Sequence, residues 1–141
     1  MTHNSFKEIL RTIDPGTTND APGNTYIEVL SQKAAIVKNY VSSKYYEDLS
    51  ELRDIDVIAL AVIMVPFESR GDLLRVSNLQ AFDYMMTAIG VATGISFLYA
   101  LFSEGAAVST ILGTLKNIIR ISAGWSIVGY GVYSFGSCVE W

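Results

Sequence analysis

The stretch IALAVIMV, residues 58–65, consists of eight consecutive apolar residues in a chain of 141. A helix needs about 20 apolar residues to cross a bilayer, so this stretch is too short to span one. Its length and its Val and Ile content are compatible with a buried strand or a buried helix. We expect a buried helix, because Ala59, Ala61 and Met64 favour helices and the neighbouring sequence has a helical pattern.

The sequence around this stretch predicts one continuous helix that begins near Tyr45 and ends at Pro66. Its second half is apolar and its first half is acidic; the acidic residues are Glu47, Asp48, Glu51, Asp54 and Asp56. Several carboxylates close together could bind a hard cation. The cluster lacks the central glycine and the alternating ligand spacing of an EF-hand, so we interpret it as a solvated helical face.

Two capping signals predict further helices upstream. Ser5 and Glu8 have the spacing of a capping box ahead of a short apolar run, which predicts a short helix. Thr25 and Glu28 repeat this spacing at the start of an amphipathic pattern. The apolar residues of that pattern are Tyr26, Leu30, Ala34, Val37 and Val41. Between the two helices, residues 14–25 are rich in turn-forming residues and predict a flexible loop.

Two long uncharged segments make up most of the C-terminal part of the chain. YMMTAIGVATGISFLYALF at residues 84–102 and ISAGWSIVGYGVYSFGSCV at residues 121–139 each have nineteen residues without a charge. Aromatic residues lie near both ends of each, so the segments predict transmembrane helices over about 82–102 and 121–139. The expected fold is all-α: an N-terminal amphipathic helical region over 1–80, and an integral membrane hairpin of two helices over 81–141.

Residues 103–120 connect the two predicted spans. We expect this connector to be an amphipathic extension at the membrane interface, where Lys116 and Arg120 reach the lipid headgroups. Trp125 and Trp141 are expected to anchor the second span at the interface. The alternative is a soluble protein with a buried helical hairpin, in which Arg120 pairs with a carboxylate. Basic residues flank the first span equally, so the sequence predicts no orientation.

Small residues recur at four-residue intervals in both predicted spans. In lipid such stripes mark faces on which helices pack closely. The predicted helix-packing residues are Gly90, Ala92, Gly94, Ser96 and Ala100 in the first span, and Ser122, Ser126 and Ser134 in the second. Gly90 and Gly94 form a GxxxG motif. We expect the two spans to pack against each other, and contacts with other subunits of a homo- or hetero-oligomer are possible.

The composition argues against several classes of function. The formal net charge is −4, and affinity for nucleic acid comes mainly from Lys and Arg, so no nucleic-acid partner is expected. His3 is the only histidine and Cys138 the only cysteine. A histidine-based triad, a multi-histidine metal site and an internal disulfide therefore lack the necessary residues. We expect no catalytic residue, cofactor, metal or small-molecule substrate, and Cys138 is either an interior thiol or a palmitoylation site.

Short stretches of the chain resemble two known families. SIVGYGVYSFGSCVEW, residues 126–141, resembles a membrane span of the mitochondrial protein translocase family. FESRGD at residues 67–72 and LFSEG at residues 101–105 resemble homology regions 3 and 1 of Bcl-2 proteins, which would imply a membrane-active helical bundle. The Asn-Trp-Gly-Arg sequence of region 1 is missing, because residues 107–110 are Ala-Val-Ser-Thr. We assign the chain to neither family.

These patterns together predict a non-enzymatic membrane protein with two spans. We expect it to be a structural or assembly subunit of a larger complex, such as a virion membrane or a multisubunit membrane assembly. Its partners would then be the lipid bilayer and other protein subunits. The alternative is a membrane-permeabilising or apoptosis-regulating helical bundle of holin, colicin or Bcl-2 type. Nothing in the sequence indicates which membrane is involved.

Overall fold

The computed structural model describes residues 4–11, 24–69, 100–101, 103–119, 121 and 124–139. Every regular element in these residues is a helix, so the predicted all-α fold class is confirmed. In chain order the helices are α1 (Phe6–Leu10), α2 (Asn24–Tyr45), α3 (Asp54–Glu68), α4 (Val108–Ile118) and α5 (Trp125–Val139). The predicted boundary near residue 80 lies outside the described residues.

Helix α3 lies at the centre of the described bundle. Helices α1, α2, α4 and α5 all pack against it. The thirteen residues from Ile55 to Phe67 are all buried, so the buried helix predicted over 58–65 is confirmed. A helix at the surface of a globular protein buries one side and exposes a polar one. Because α3 is apolar around its whole circumference, its side chains are shielded from water only when other helices surround it.

The chain between α2 and α3 is not helical. Helix α2 ends at Tyr45, and Tyr46 has a φ of 59°. This left-handed conformation ends a right-handed helix. The continuous helix expected from Tyr45 to Pro66 is therefore wrong: residues 46–53 form a loop that reverses the chain, and α2 packs along α3. Pro66 does not end α3 either, since the helix continues to Glu68.

Helices α1, α2 and α4 are amphipathic. The hydroxyl of Ser5 accepts a hydrogen bond of 3.1 Å from the backbone nitrogen of Glu8, which confirms the predicted cap of α1. Helix α4 lies within the predicted connector 103–120, and its apolar side packs on α3. The buried residues of these helices are Phe6, Ile9 and Leu10 in α1, Leu30, Ala34, Val37, Tyr40 and Val41 in α2, and Ile111, Leu112 and Leu115 in α4.

Helix α5 covers most of the predicted second span. It packs against α2 and α3 through Val128, Val132 and Phe135, which are buried. Among the helices of the described ranges, none is long and apolar enough to cross a bilayer. The predicted first span lies outside the described residues, apart from residues 100–101. The described part of the chain therefore gives no support to the predicted transmembrane hairpin.

Replacing Leu60 by Ala should destabilise the bundle, because Leu60 is completely buried in the middle of α3. We expect the free energy of unfolding to fall by about 2–5 kcal/mol, since shortening a fully buried leucine removes apolar contacts and leaves a cavity. Urea denaturation followed by circular dichroism measures the change. Asn39→Ala is the control, because Asn39 is exposed on α2 and should change the value by less than about 0.5 kcal/mol. Equal effects of the two substitutions would contradict the central position of α3.

Candidate functional site

Glu68, the last residue of α3, is the centre of a first polar cluster. Its Oε2 accepts a hydrogen bond of 2.5 Å from the hydroxyl of Tyr40 and another from the hydroxyl of Tyr45. The Nζ of Lys44 lies 3.7 Å from the same oxygen. Its Oε1 accepts a hydrogen bond of 2.7 Å from the backbone nitrogen of Phe6. One carboxylate therefore connects α1, α2 and α3.

Three aromatic rings pack around this carboxylate. The ring centroid of Tyr40 lies 5.0 Å from that of Phe6 and 5.9 Å from that of Tyr45, and both pairs have edge-to-face geometry. The ammonium group of Lys44 lies 5.2 Å and 5.5 Å from the two tyrosine centroids, within the range of a cation–π interaction. Among the described residues, no buried side-chain nitrogen or oxygen lacks a hydrogen-bond partner. The polar groups of this cluster bind one another, and the cluster holds the short helix α1 on the bundle.

The pKa values of Tyr40 and Tyr45 lie well above the ordinary tyrosine value. Burial is the main cause, because a phenolate removed from water loses its hydration. The hydrogen bond that each hydroxyl donates to Glu68 raises the pKa further, since only the neutral phenol can donate it. Both hydroxyls consequently stay protonated, and remain hydrogen-bond donors, at alkaline pH values where an ordinary tyrosine loses its proton.

Asp56, in the first turn of α3, is the centre of a second polar cluster. Nε and Nη2 of Arg53 donate hydrogen bonds of 3.0 and 3.1 Å to its two carboxylate oxygens. The backbone nitrogen of Ile121 donates to Oδ1 at 3.3 Å, and the carbonyl of Ile121 accepts a hydrogen bond from Arg53. Asp56 is only 3% exposed, so the prediction of a solvated acidic face is wrong at this residue. The Arg53–Asp56 pair therefore connects the segment between α4 and α5 to the start of α3.

The other acidic residues of the same stretch lie at the surface. Asp54 pairs with Lys38 at 3.2 Å, and Glu47 pairs with Lys116 at 3.5 Å. Lys116, which we expected to reach lipid headgroups, thus contacts a carboxylate of the loop that follows α2. In the described ranges, no three His, Cys, Asp or Glu side chains come close enough together to hold a metal ion.

Helix α5 has an outer side without a single charged residue. Ile127, Tyr130 and Tyr133 are 46%, 58% and 42% exposed there. Their spacing of three residues places them on one side of the helix, and we call these three residues the outer α5 face. A surface helix ordinarily carries charged residues on its solvent side. An uncharged aromatic face is therefore the clearest sign of a binding surface in the described part of the protein.

The structure places only some of the predicted site residues. Seven lie outside the described residues: Gly90, Ala92, Gly94, Ser96, Arg120, Ser122 and Trp141. Ala100 is exposed, and Trp125 is half-buried against the core. Ser126 is exposed on the same side of α5 as the outer α5 face, and Ser134 also belongs to this helix. The packing role of these small residues stays a prediction.

The outer α5 face is not among the site residues predicted from the sequence. The small residues that α5 turns toward the core are Gly129, Gly131 and Gly136, which do not follow the predicted four-residue stripe. Tyr130 lies at the four-residue interval between Ser126 and Ser134, whereas Ile127 and Tyr133 do not follow that interval. The available signal was the three-residue spacing of the outer α5 face in a helix that has no charge.

Comparison with protein-family models, with curated proteins and with solved structures finds no match to this chain. In both polar clusters the charged groups bind partners within the bundle. The outer α5 face instead directs apolar and aromatic side chains to the exterior, where they can contact a partner.

The free energy of unfolding should fall as the pH rises above about 10, the ordinary tyrosine pKa. Tyrosines of the unfolded chain lose their protons there, whereas Tyr40 and Tyr45 keep theirs in the folded protein. The unfolded state then binds fewer protons, so a higher pH favours it. The stabilisation is complete below about pH 10 and is lost as the pH rises toward the folded-state pKa values.

Urea denaturation at a series of alkaline pH values measures this dependence. The double variant Tyr40→Phe/Tyr45→Phe should show a smaller slope of unfolding free energy against pH than the parent chain. Tyr130→Phe is the control, because Tyr130 is exposed and its substitution should leave the slope unchanged. A double variant with the slope of the parent would show that the two hydroxyls are not protected by burial.

Proposed function

We propose that this protein is a non-enzymatic subunit of a membrane-associated protein assembly, and that the outer α5 face is the surface through which it is held at the membrane. The observation that carries the proposal is this face itself. It consists of Ile127, Tyr130 and Tyr133, all substantially exposed, in a fifteen-residue helix that contains no charged side chain.

The chemistry of the outer α5 face supports a position at a boundary between polar and apolar surroundings. Tyrosine combines a large apolar ring with a hydroxyl that can remain hydrogen-bonded, and it is enriched in protein interfaces and at membrane surfaces. On a face that always contacts water, exposed aromatic residues do not stabilise the protein, whereas charged residues would increase its solubility. The mean hydropathy of +0.33 and the uncharged segment 84–102 add support from the rest of the sequence.

The two-span hairpin is a more specific form of this proposal. It requires α5 to leave the bundle and lengthen, because fifteen residues of helix extend about 22 Å, whereas the apolar layer of a bilayer is about 30 Å thick. It also requires Val128, Val132 and Phe135 to give up their contacts in the core. Attachment through the outer α5 face needs neither change, so we favour it.

Cell fractionation with the full-length chain tests the proposed function. We expect the protein in the membrane fraction and, in a mild detergent, on a native gel at a size larger than the 15.4 kDa chain. Washing the membranes with alkaline carbonate then separates the two forms of the proposal. A protein attached through its surface is released, and a protein with two spans is retained. Recovery of the chain as a free monomer in the soluble fraction before the carbonate wash would contradict both forms.

A membrane-permeabilising or apoptosis-regulating bundle is the second candidate function. The observation in its favour is α3, whose buried residues other than Asp56 are apolar and lie on every side of the helix. Such a helix would be stable against lipid once the surrounding helices had moved away. Release of an enclosed dye from vesicles distinguishes the candidates, because an assembly subunit binds without causing leakage. Dye release by the purified chain would favour the second candidate over the first.

A further inference from the structure

We propose that the outer α5 face binds the surface of a phospholipid bilayer directly. The rings of Tyr130 and Tyr133 and the side chain of Ile127 enter the boundary between the headgroups and the acyl chains. This inference rests on the proposed function and deepens it, since it names lipid as the partner that this face contacts.

The geometry of the helix suits this position. The three side chains lie within seven residues of helix, and Ile127 and Tyr133 are about 9 Å apart along its axis, so they can meet a flat surface together when α5 lies parallel to it. Helices bound in this way insert their apolar side about 5–10 Å into the headgroup region. Each tyrosine ring can then lie among apolar groups while its hydroxyl stays hydrogen-bonded to headgroups or water. The opposite side of α5 remains packed against α2 and α3.

The size of the outer α5 face favours lipid over a protein partner. Its two tyrosines are about half exposed and offer roughly 200 Å² of surface together. A stable protein interface buries about 800 Å² on each partner. A bilayer needs no complementary shape and offers many equivalent sites, so a small apolar face suffices for reversible adsorption.

The charges of the protein indicate which lipids it binds. Helix α5 has no charge, and the whole chain has a formal net charge of −4. Lys116, on α4, is already paired with Glu47, since its Nζ lies 3.5 Å from Oε2 of that residue. Anionic lipids attract clusters of Lys and Arg, which α5 lacks. Binding therefore depends on apolar and aromatic contact, requires no anionic lipid and is insensitive to salt.

Flotation of the purified full-length chain with phosphatidylcholine vesicles tests the proposal. We expect the parent chain to float with the vesicles, and the variant Ile127→Ser/Tyr130→Ser/Tyr133→Ser to bind about tenfold more weakly or less. Tyr46→Ser is the matched control: Tyr46 is 89% exposed but lies in the loop after α2, so its loss should leave binding unchanged. Circular dichroism checks that each variant is folded. If the triple variant unfolds, Tyr130→Ser alone should still weaken binding measurably.

Lipid composition and salt provide the second part of the test. Added phosphatidylserine should not increase the bound fraction, and added sodium chloride should not decrease it. The proposal is overturned if the parent chain does not float, if the folded variant binds like the parent, or if binding requires phosphatidylserine. A parent chain that fails to float but still forms the membrane-bound complex in cells would overturn lipid binding alone. Failure in both assays would also overturn the proposed function.

Discussion

The absence of a polar side on α3 is the constraint that organises the described bundle. Burying a large aliphatic side chain contributes about 1.5–3 kcal/mol, and α3 carries such side chains around its whole circumference. This contribution is gained only when neighbours cover every side. Helices α1, α2, α4 and α5 provide that cover, each with one apolar side directed inward. The outward sides of these helices are therefore left to determine what the protein binds.

Both ends of α3 carry a carboxylate that binds other parts of the chain. Asp56 lies in the first turn, where a negative charge interacts favourably with the helix dipole, and it also binds Arg53 and the backbone at Ile121. Glu68 lies in the last turn, where the dipole disfavours a negative charge. Lys44, two tyrosine hydroxyls and a backbone N–H offset that cost. The apolar helix is thus fixed at each end by directional polar contacts, which apolar packing alone does not supply.

Local signals predicted much of the helical architecture, whereas contacts between distant residues could not be predicted. The apolar run 58–65, the amphipathic pattern of α2 and the Ser5 cap depend on neighbouring residues, and the structure contains all three. The loop at Tyr46 was missed because no glycine or proline marks it. The contacts of Glu68 join residues 23 to 62 positions apart, and no spacing rule connects them. The uncharged segment 121–139 is compatible with a membrane span and with a bundle helix that has one exposed apolar face, since both lack charges.

The attachment of α1 has a consequence for the order in which the protein folds. Five residues are too few to form a stable helix in isolation, so α1 acquires its structure only when it docks. Its polar contacts join Asn4 and Phe6 to residues 36 to 62 positions later in the chain, and closing such loops is entropically costly. We therefore expect helix α1 to dock late, after α2 and α3 have come together. We also expect it to open separately in the native protein, so that its amide hydrogens exchange with solvent while those of the central helix stay protected.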